Sequence, residues 1–200
     1  MKILLVGANG TIGSAVQREL ASRHEIVTAG RSGADLTVDI TSPDSISRMY
    51  QEVGQVDAVI STAGATHFGP LLELTPEKNE LSIESKLKGQ VHLVLLGLPY
   101  VKEGGSFTLT TGVIMDDPIA GGASSALAGG AIRAFVESAA YEMPRGIRIN
   151  NVSPNVVLES MDKYAPYFPG VDPVPVSRVA LAYRKSVEGI QTGQTYRVYS

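Results

Sequence analysis

The chain contains no cysteine, which removes disulfides, thiolate metal sites and cysteine nucleophiles at once and makes a reducing cytoplasm its simplest home. A strong charge of either sign is missing as well. Only 18% of residues are charged and the formal net charge is -3, so nucleic acid and anionic bilayers are poor partners on electrostatic grounds. Long hydrophobic runs are lacking too. The longest, VHLVLLGLPY, falls well short of the ~20 residues a membrane helix needs, and the opening MKILLVGANG meets a glycine turn too early for a secretory leader. Neither an internal repeat nor a low-complexity tract is visible, and no metal site is expected. What is present is 200 residues, 44% of them hydrophobic, enough for one domain over residues 1–200 with a substantial core.

Apolar patterning then sets the order of elements. Lys2 to Val6, KILLV, is a continuous apolar run of the kind that forms a central parallel strand buried on both faces. After a glycine turn, Ile12, Val16 and Leu20 recur at helical spacing to about Arg23. Further strands are expected at EIVTAG, at DLTVDI ending at Asp39, and at VDAVIST, GSFTLTTG, GIRINNV and TYRVYS. Between them, Ser42 can cap a helix with Pro43 in its first turn, a long helical region runs from Pro76 to Val101, and GGASSALAGGAIRAFVESAAYEM forms another helix from Gly121 to Met143. Parallel neighbours need crossovers, so strands alternating with helices predict an α/β fold: a Rossmann-type, doubly wound parallel sheet flanked by helices on both faces. The long irregular segment, Ser153 to Ser177, is rich in proline and aromatics and reads as a lid over a small, partly apolar substrate.

Chemistry enters at GANGTIG, where Gly7, Gly10 and Gly13 join the first strand to the first helix around Asn9, Thr11 and Ile12. Glycine there lets the backbone turn tightly and approach a diphosphate seated on the free amides of a helix N-terminus. The same glycines could simply let helix pack on strand, but their place directly after a buried strand favours the nucleotide. The second strand ends in Arg31 and Ser32 rather than an acidic residue, which points to the 2′-phosphate of NADP(H) over NAD; the alternative is a solvated strand-end arginine.

Taken in order, GANGTIG, VDI with Asp39 and Ile40, STAG from Ser61 to Gly64, GPLLELTPE and RINNVSP make the chain resemble the short-chain dehydrogenase/reductase family over nearly its whole length. The resemblance implies that Asp39 lies beside the adenine, that Thr62, Ala63 and Gly64 pass along a cofactor ribose, and that Asn155, where glycine is usual, sits near the nicotinamide amide. It also implies a homodimer or homotetramer. The family's proton chemistry uses a tyrosine whose phenol is acidified by a lysine one turn later, with a serine and an asparagine nearby. Here the corresponding positions carry Ser125, Gly129, Gly112 and Lys86.

A serine hydroxyl is much less acidic than a phenol, and Gly129 cannot lower its pKa. Ser125 could still hydrogen-bond a carbonyl, although small residues on this helix also suit close packing on a neighbour. Lys86, if it faces the cleft, could polarise a carbonyl or donate a proton; otherwise it is one more solvated charge in EKNELSIESKLK. Thr110 and Thr111 at the end of the fifth strand are further proton-donor candidates, Thr111 foremost. His67 reads as a loop histidine, Asp116 and Asp117 as solvated turn residues, and Tyr164 and Tyr167 as an apolar wall in the lid. Two functions follow. One is an atypical NADP(H)-dependent oxidoreductase of a small carbonyl or alcohol, with Lys86, Thr111 and Ser125 at the reacting oxygen; the other is a non-catalytic NADP(H)-binding sensor or regulatory protein.

Overall fold

All residues, 1–200, are described in a computed structural model. Seven parallel strands form one sheet in the order β3-β2-β1-β4-β5-β6-β7. They are β1 Lys2–Val6, β2 Glu25–Gly30, β3 Leu36–Thr37, β4 Val56–Ser61, β5 Val101–Thr110, β6 Arg148–Pro154 and β7 Thr195–Val198. The helices are α1 Thr11–Leu20, α2 Pro43–Val53, α3 Pro76–Leu81, α4 Gly89–Gly97, α5 Ala123–Ala139, the short α6 Met161–Tyr164 and α7 Val176–Glu188. None is long and apolar enough to cross a membrane.

The period-2 geometry of a strand divides β1 between two cores. Ile3 and Leu5 face a core shared with α1 and α7, through Val16, Leu20, Val179 and Tyr183. Leu4 and Val6 face the other, built with α2, α4 and α5 through Ile46, Tyr50, Leu93 and Ile132. Both faces of β1 are therefore dry, which is why its sequence is apolar throughout rather than alternating. Truncating Leu4 or Leu5 to alanine in such a setting costs about 2–5 kcal/mol. β1 pairs with β2 on one side and β4 on the other, so the strand order reverses between β1 and β4. A crevice opens beyond the carboxyl ends of strands at such a switch point.

The predicted fold class is present, with local differences. Helix α1 stops at Leu20 instead of about Arg23, because Arg23 and His24 both turn their N–H groups back to the Leu20 carbonyl. The third strand shrinks to Leu36–Thr37: Asp35 is occupied by the Thr28 amide and hydroxyl, and Asp39 by Thr41. Ser42 accepts a hydrogen bond from the Ser45 amide with Pro43 in the first turn, as its position predicts. The helical region ends at Gly97 rather than Val101 and is not uniform, since Ser82–Lys88 is a π-helical turn between α3 and α4. Within 153–177 lie α6 and flanking 3-10 turns. Helix α7 is an addition to the expected elements, although Val176, Val179, Ala180, Tyr183 and Val187 carry the helical spacing that buries it.

Candidate functional site

The turn after β1 is shaped by what cannot be there. Gly7 has φ +92, and a Cβ on it would stand 2.8 Å from the Ala63 amide nitrogen. A Cβ on Gly13 would collide with the Gly7 carbonyl oxygen and lie 2.8 Å from the Ala8 Cα. Gly10 is less constrained, with only the Gly7 oxygen at 3.5 Å, but it is the N-cap of α1 and offers no side chain to its first amides. Those amides therefore stay available to an anion. Thr62 braces the turn from β4, its hydroxyl donating to the carbonyls of Val6 (3.2 Å) and Gly7 (3.0 Å). Asn9 fastens it to the next loop, donating to the carbonyls of Ser32 (2.7 Å) and Gly33 (3.0 Å).

Arg31 and Ser32 are exposed on that loop. Asp39 is exposed as well, and its carboxyl is held below the usual range chiefly by hydrogen bonds from the Thr41 amide and hydroxyl, with the Arg31 charge a smaller cause. Ile40 is buried and packs on Gly89, where an added Cβ would approach its Cδ1 to 2.9 Å.

A cleft of about 590 Å³ runs from this turn across the carboxyl ends of the central strands. It brings together Gly10, Thr11, Ile12, Thr62, Gly64, Lys86, Thr111, Ser125 and Asn155. Gly7, Asn9, Gly13, Arg31, Ser32, Asp39, Ile40 and Ala63 do not line it: the glycines and Ala63 form the backbone behind it, and the others lie further along toward β2 and β3. The opposite wall is apolar, with Phe68 from the loop after β4 against Tyr164 (ring centroids 5.8 Å apart), together with Val113, Ile114 and Phe168; Tyr167 packs on Phe68 (5.3 Å) from behind it. The hydroxyl of Ser160 reaches Thr11 at 3.4 Å, so the 153–177 segment touches the glycine turn directly.

Lys86 sits on the π-helical turn and its ammonium donates to the Thr111 carbonyl at 3.0 Å. Gly64, at φ +135, makes room for it: a Cβ there would stand 2.9 Å from the Lys86 Cα. Burial disfavours the charged form and brings the Lys86 pKa down from 10.5 to about 8. Ser125 is buried and lines the same cleft. A Cβ on Gly112 would meet nothing within 4 Å, and one on Gly129 would make only ordinary contact, at 3.9 Å. Close packing inside the chain therefore does not account for Gly129.

Several candidates are placed differently from their expected roles. The Thr111 hydroxyl is turned into the sheet, donating to Asn151 Oδ1 at 2.8 Å, so the carbonyl is what Thr111 offers Lys86. Thr110 is likewise committed, to the Ser61 carbonyl (2.6 Å) and Tyr183 (2.5 Å). Asn155 donates to the carbonyls of Asp172 and Tyr199 and accepts from the Val156 amide, which leaves its side chain bracing the 153–177 segment. His67 and Tyr167 do not line the cleft. Asp116 is an exposed turn residue, as expected, and is paired as well: Tyr199 (2.7 Å), Arg197 (3.0 Å) and Arg133 (2.5 Å) converge on it, and these hydrogen bonds hold its pKa at about 2 against the opposing effect of burial. Gln90 and Asn151, both fully buried amides beside Lys86 and Thr111, were absent from the expected site. The available signal was a polar amide inside the apolar stretches GQVHLVLLG and RINNV.

Residues 7–190 match the family model described as enoyl-(acyl carrier protein) reductase. An uncharacterized oxidoreductase of Staphylococcus epidermidis is 24% identical over 176 residues, spanning 77% of this chain and 76% of that protein. The versicolorin reductase of Emericella nidulans is 26% identical over 165 residues, 78% of this chain and 62% of its own length. Among solved structures, the protein lin1944 from Listeria innocua is similar with a TM-score of 0.99 and 60% identity, covering 100% of both chains. A small-chain dehydrogenase in complex with NADPH shares the fold at a TM-score of 0.85 and 23% identity, over 99% of this chain and 96% of that one.

Proposed function

The chain belongs to the short-chain dehydrogenase/reductase family, and on that premise we propose that it is an NADP(H)-dependent oxidoreductase of a small, partly apolar carbonyl or alcohol, with Lys86 as its proton donor. The observation that carries this reading is the Lys86 ammonium in the cleft, held at 3.0 Å by a carbonyl and depressed in pKa to about 8. A group of that acidity presents both protonation states near neutral pH, which is what general acid–base work requires.

The residues fit a dinucleotide. Gly7 and Gly13 let the turn, α1 and the end of β4 pack closely behind the cleft, and the first amides of α1 have no side-chain cap. Gly7, Gly10, Thr11, Ile12 and Gly13 would hold the diphosphate, and Arg31 and Ser32 the 2′-phosphate. Asp39 and Ile40 would flank the adenine, with Thr62, Ala63, Gly64 and the backbone of Asn155 along the ribose and nicotinamide end. Asn9 shapes the loop that carries Arg31. The NADPH held by a similar small-chain dehydrogenase supports the same assignment.

Bound there, the dinucleotide supplies or takes up a hydride. The chain's own part is the proton. In carbonyl reduction the Lys86 ammonium gives a proton to the substrate oxygen as negative charge develops on it, and solvent at the cleft mouth restores it. In alcohol oxidation the neutral amine takes that proton. Ser125 supplies a second hydrogen bond to the oxygen, and the wall of Phe68, Tyr164 and Phe168 excludes water from the apolar part of the substrate. Residues 153–177 act as the lid. Exposed Leu95 on α4 and Leu127 on α5 support assembly as a homodimer or homotetramer, which sedimentation velocity at micromolar concentration checks.

A second reading, a non-catalytic NADP(H) sensor, is favoured by the residues at 112, 125 and 129, which leave α5 without a phenol and without a lysine one turn later. One experiment separates the two: purified protein is mixed with NADPH and a broad panel of aldehydes and ketones, following NADPH absorbance. Consumption with a small apolar carbonyl is expected. Tight NADPH binding with no turnover across the panel would give the sensor reading instead.

A further inference from the structure

Gln90 has no exposure, in the first turn of α4, and its amide is spent in two places. Its Nε2 donates to the Lys86 carbonyl (3.2 Å) and to the Thr110 carbonyl (2.9 Å), while its Oε1 accepts from the Thr110 amide (2.8 Å). The next residue along, Thr111, provides the carbonyl that receives the Lys86 ammonium. Both ends of Lys86, backbone carbonyl and side-chain amine, are thereby tied to two successive residues at the end of β5.

The rest of the π-helical turn is pinned elsewhere. Ser85 accepts from the Ala65 amide and Ser82 from the His67 amide, each at 2.9 Å, and Ser124 of α5 donates to Ser82 at 2.7 Å. Those bonds fix the turn against the loop after β4 and against α5. Gln90 is the side chain that joins Lys86 itself to β5. A π-helical turn has slack that an α-helix lacks, so an amide locking it onto a strand decides where its side chains point.

We propose that Gln90 is a positioning residue for Lys86: by holding the π-helical turn to the end of β5, it keeps the ammonium on the Thr111 carbonyl and aimed into the cleft. This rests on the reading of Lys86 as proton donor. The other titratable groups lining the cleft are Glu159, Asp162, Lys163 and Tyr164, of which Glu159 is occupied by the Val176 amide. On the turn itself, Glu84 pairs with Lys88 on the outer surface. No carboxylate is hydrogen-bonded to Lys86, so its titration reports on how firmly it is held among neutral groups.

The test uses the whole protein without added nucleotide, acetylated by limiting acetic anhydride across a pH series, with modification at Lys86 read by peptide mass spectrometry. Wild type should show half-maximal reactivity near pH 8. In Gln90→Met, nearly isosteric but without the amide, the midpoint should rise by about one pH unit or more as the amine relaxes toward water. Its kcat for carbonyl reduction should fall about tenfold, with KM and NADPH affinity within about threefold of wild type. Tyr50→Phe is the control, because it removes another buried bond to α4, from Tyr50 to the Leu93 carbonyl at 2.6 Å, without touching Lys86. If Gln90→Met does not fold, Gln90→Asn keeps an amide that is too short to span both carbonyls and should shift the midpoint in the same direction. An unmoved midpoint in whichever variant folds, or an equal shift in Tyr50→Phe, overturns the proposal. Failure of the Lys86 reading looks different: Lys86→Met would then reduce carbonyls as wild type does, while the acetylation midpoint still reports on Gln90.

Discussion

At Gly7 and Gly13 a single added methyl would run into backbone, whereas on α5 the same methyl would meet nothing nearer than 3.9 Å at Gly129 and nothing within 4 Å at Gly130. Both stretches look alike as sequence. In the first, glycine is demanded because three pieces of main chain, the turn, α1 and the end of β4, crowd together. In the second an alanine would fit, in ordinary contact at Gly129 and in open space at Gly130, and glycine is kept in a helix where it costs up to about 1 kcal/mol relative to alanine. The space at Gly129 borders Thr111 and Met115, so it adjoins the carbonyl that holds Lys86. One side of the site is therefore defined by close backbone approach, and the other by room for a larger side chain beside Thr111.

The contrast breaks most severely at Gly13. Gly13→Ala should displace the turn, weaken NADPH binding by more than about 100-fold in titration calorimetry and cost about 1–3 kcal/mol in thermal melts. An alanine there with ordinary NADPH affinity would erase the distinction between the two stretches.

Next in size is Lys86→Met, expected to lower kcat by about 10²–10³ while leaving NADPH affinity unchanged. Because the folded pKa of Lys86 is about 8, carbonyl reduction should decline above that pH and alcohol oxidation should rise through it; the variant's profiles should lose this inflection. Stability follows the same group. The folded protein holds this proton less readily than the unfolded chain, so between about 8 and 10.5 the unfolded state binds more protons and stability rises with pH. Below about 8 the full cost of burying the amine is present, and Lys86→Met should melt higher than wild type at neutral pH.

Smaller again, Arg31→Ala should weaken NADPH about tenfold and leave NADH untouched, as loss of one charge-assisted contact predicts. Equal loss for both nucleotides would place the arginine away from the 2′-phosphate. The smallest effect belongs to Gly130→Ala, which should raise the melting temperature by ~2–4 °C through helix propensity alone. A destabilised variant would mean that something unseen packs on that face.

The fold was legible because burial on both faces forces β1 and β4 to be apolar and a parallel sheet forces helices between strands. Gly7 and Gly13 were legible for a related reason, since backbone crowding leaves no alternative residue. Side-chain commitments were not. Whether Thr111 offers its hydroxyl or its carbonyl depends on Asn151, forty residues away in the chain yet 2.8 Å away in space. That exposed Asp116 is also paired depends on β7 and the residue after it, which bring Arg197 and Tyr199 beside it. The π-helical turn leaves no mark in residue periodicity, and helix α7 was hidden behind a proline-rich segment although its apolar spacing is regular.

Asp116 has a mechanical consequence. One carboxylate clasps Arg133 of α5, Arg197 of the outermost strand and Tyr199, and Tyr199 in turn reaches Ser153 of β6. Its pKa is lowered from 3.8 to about 2, so the clasp is at full strength above pH 3.8 and is released as acid carries the solution down through 2. β7 is bonded to the sheet along one side only. Acid should thus unzip the sheet from that margin inward, with the hydrogen-bonded amides of β7 exchanging with solvent before those of β1.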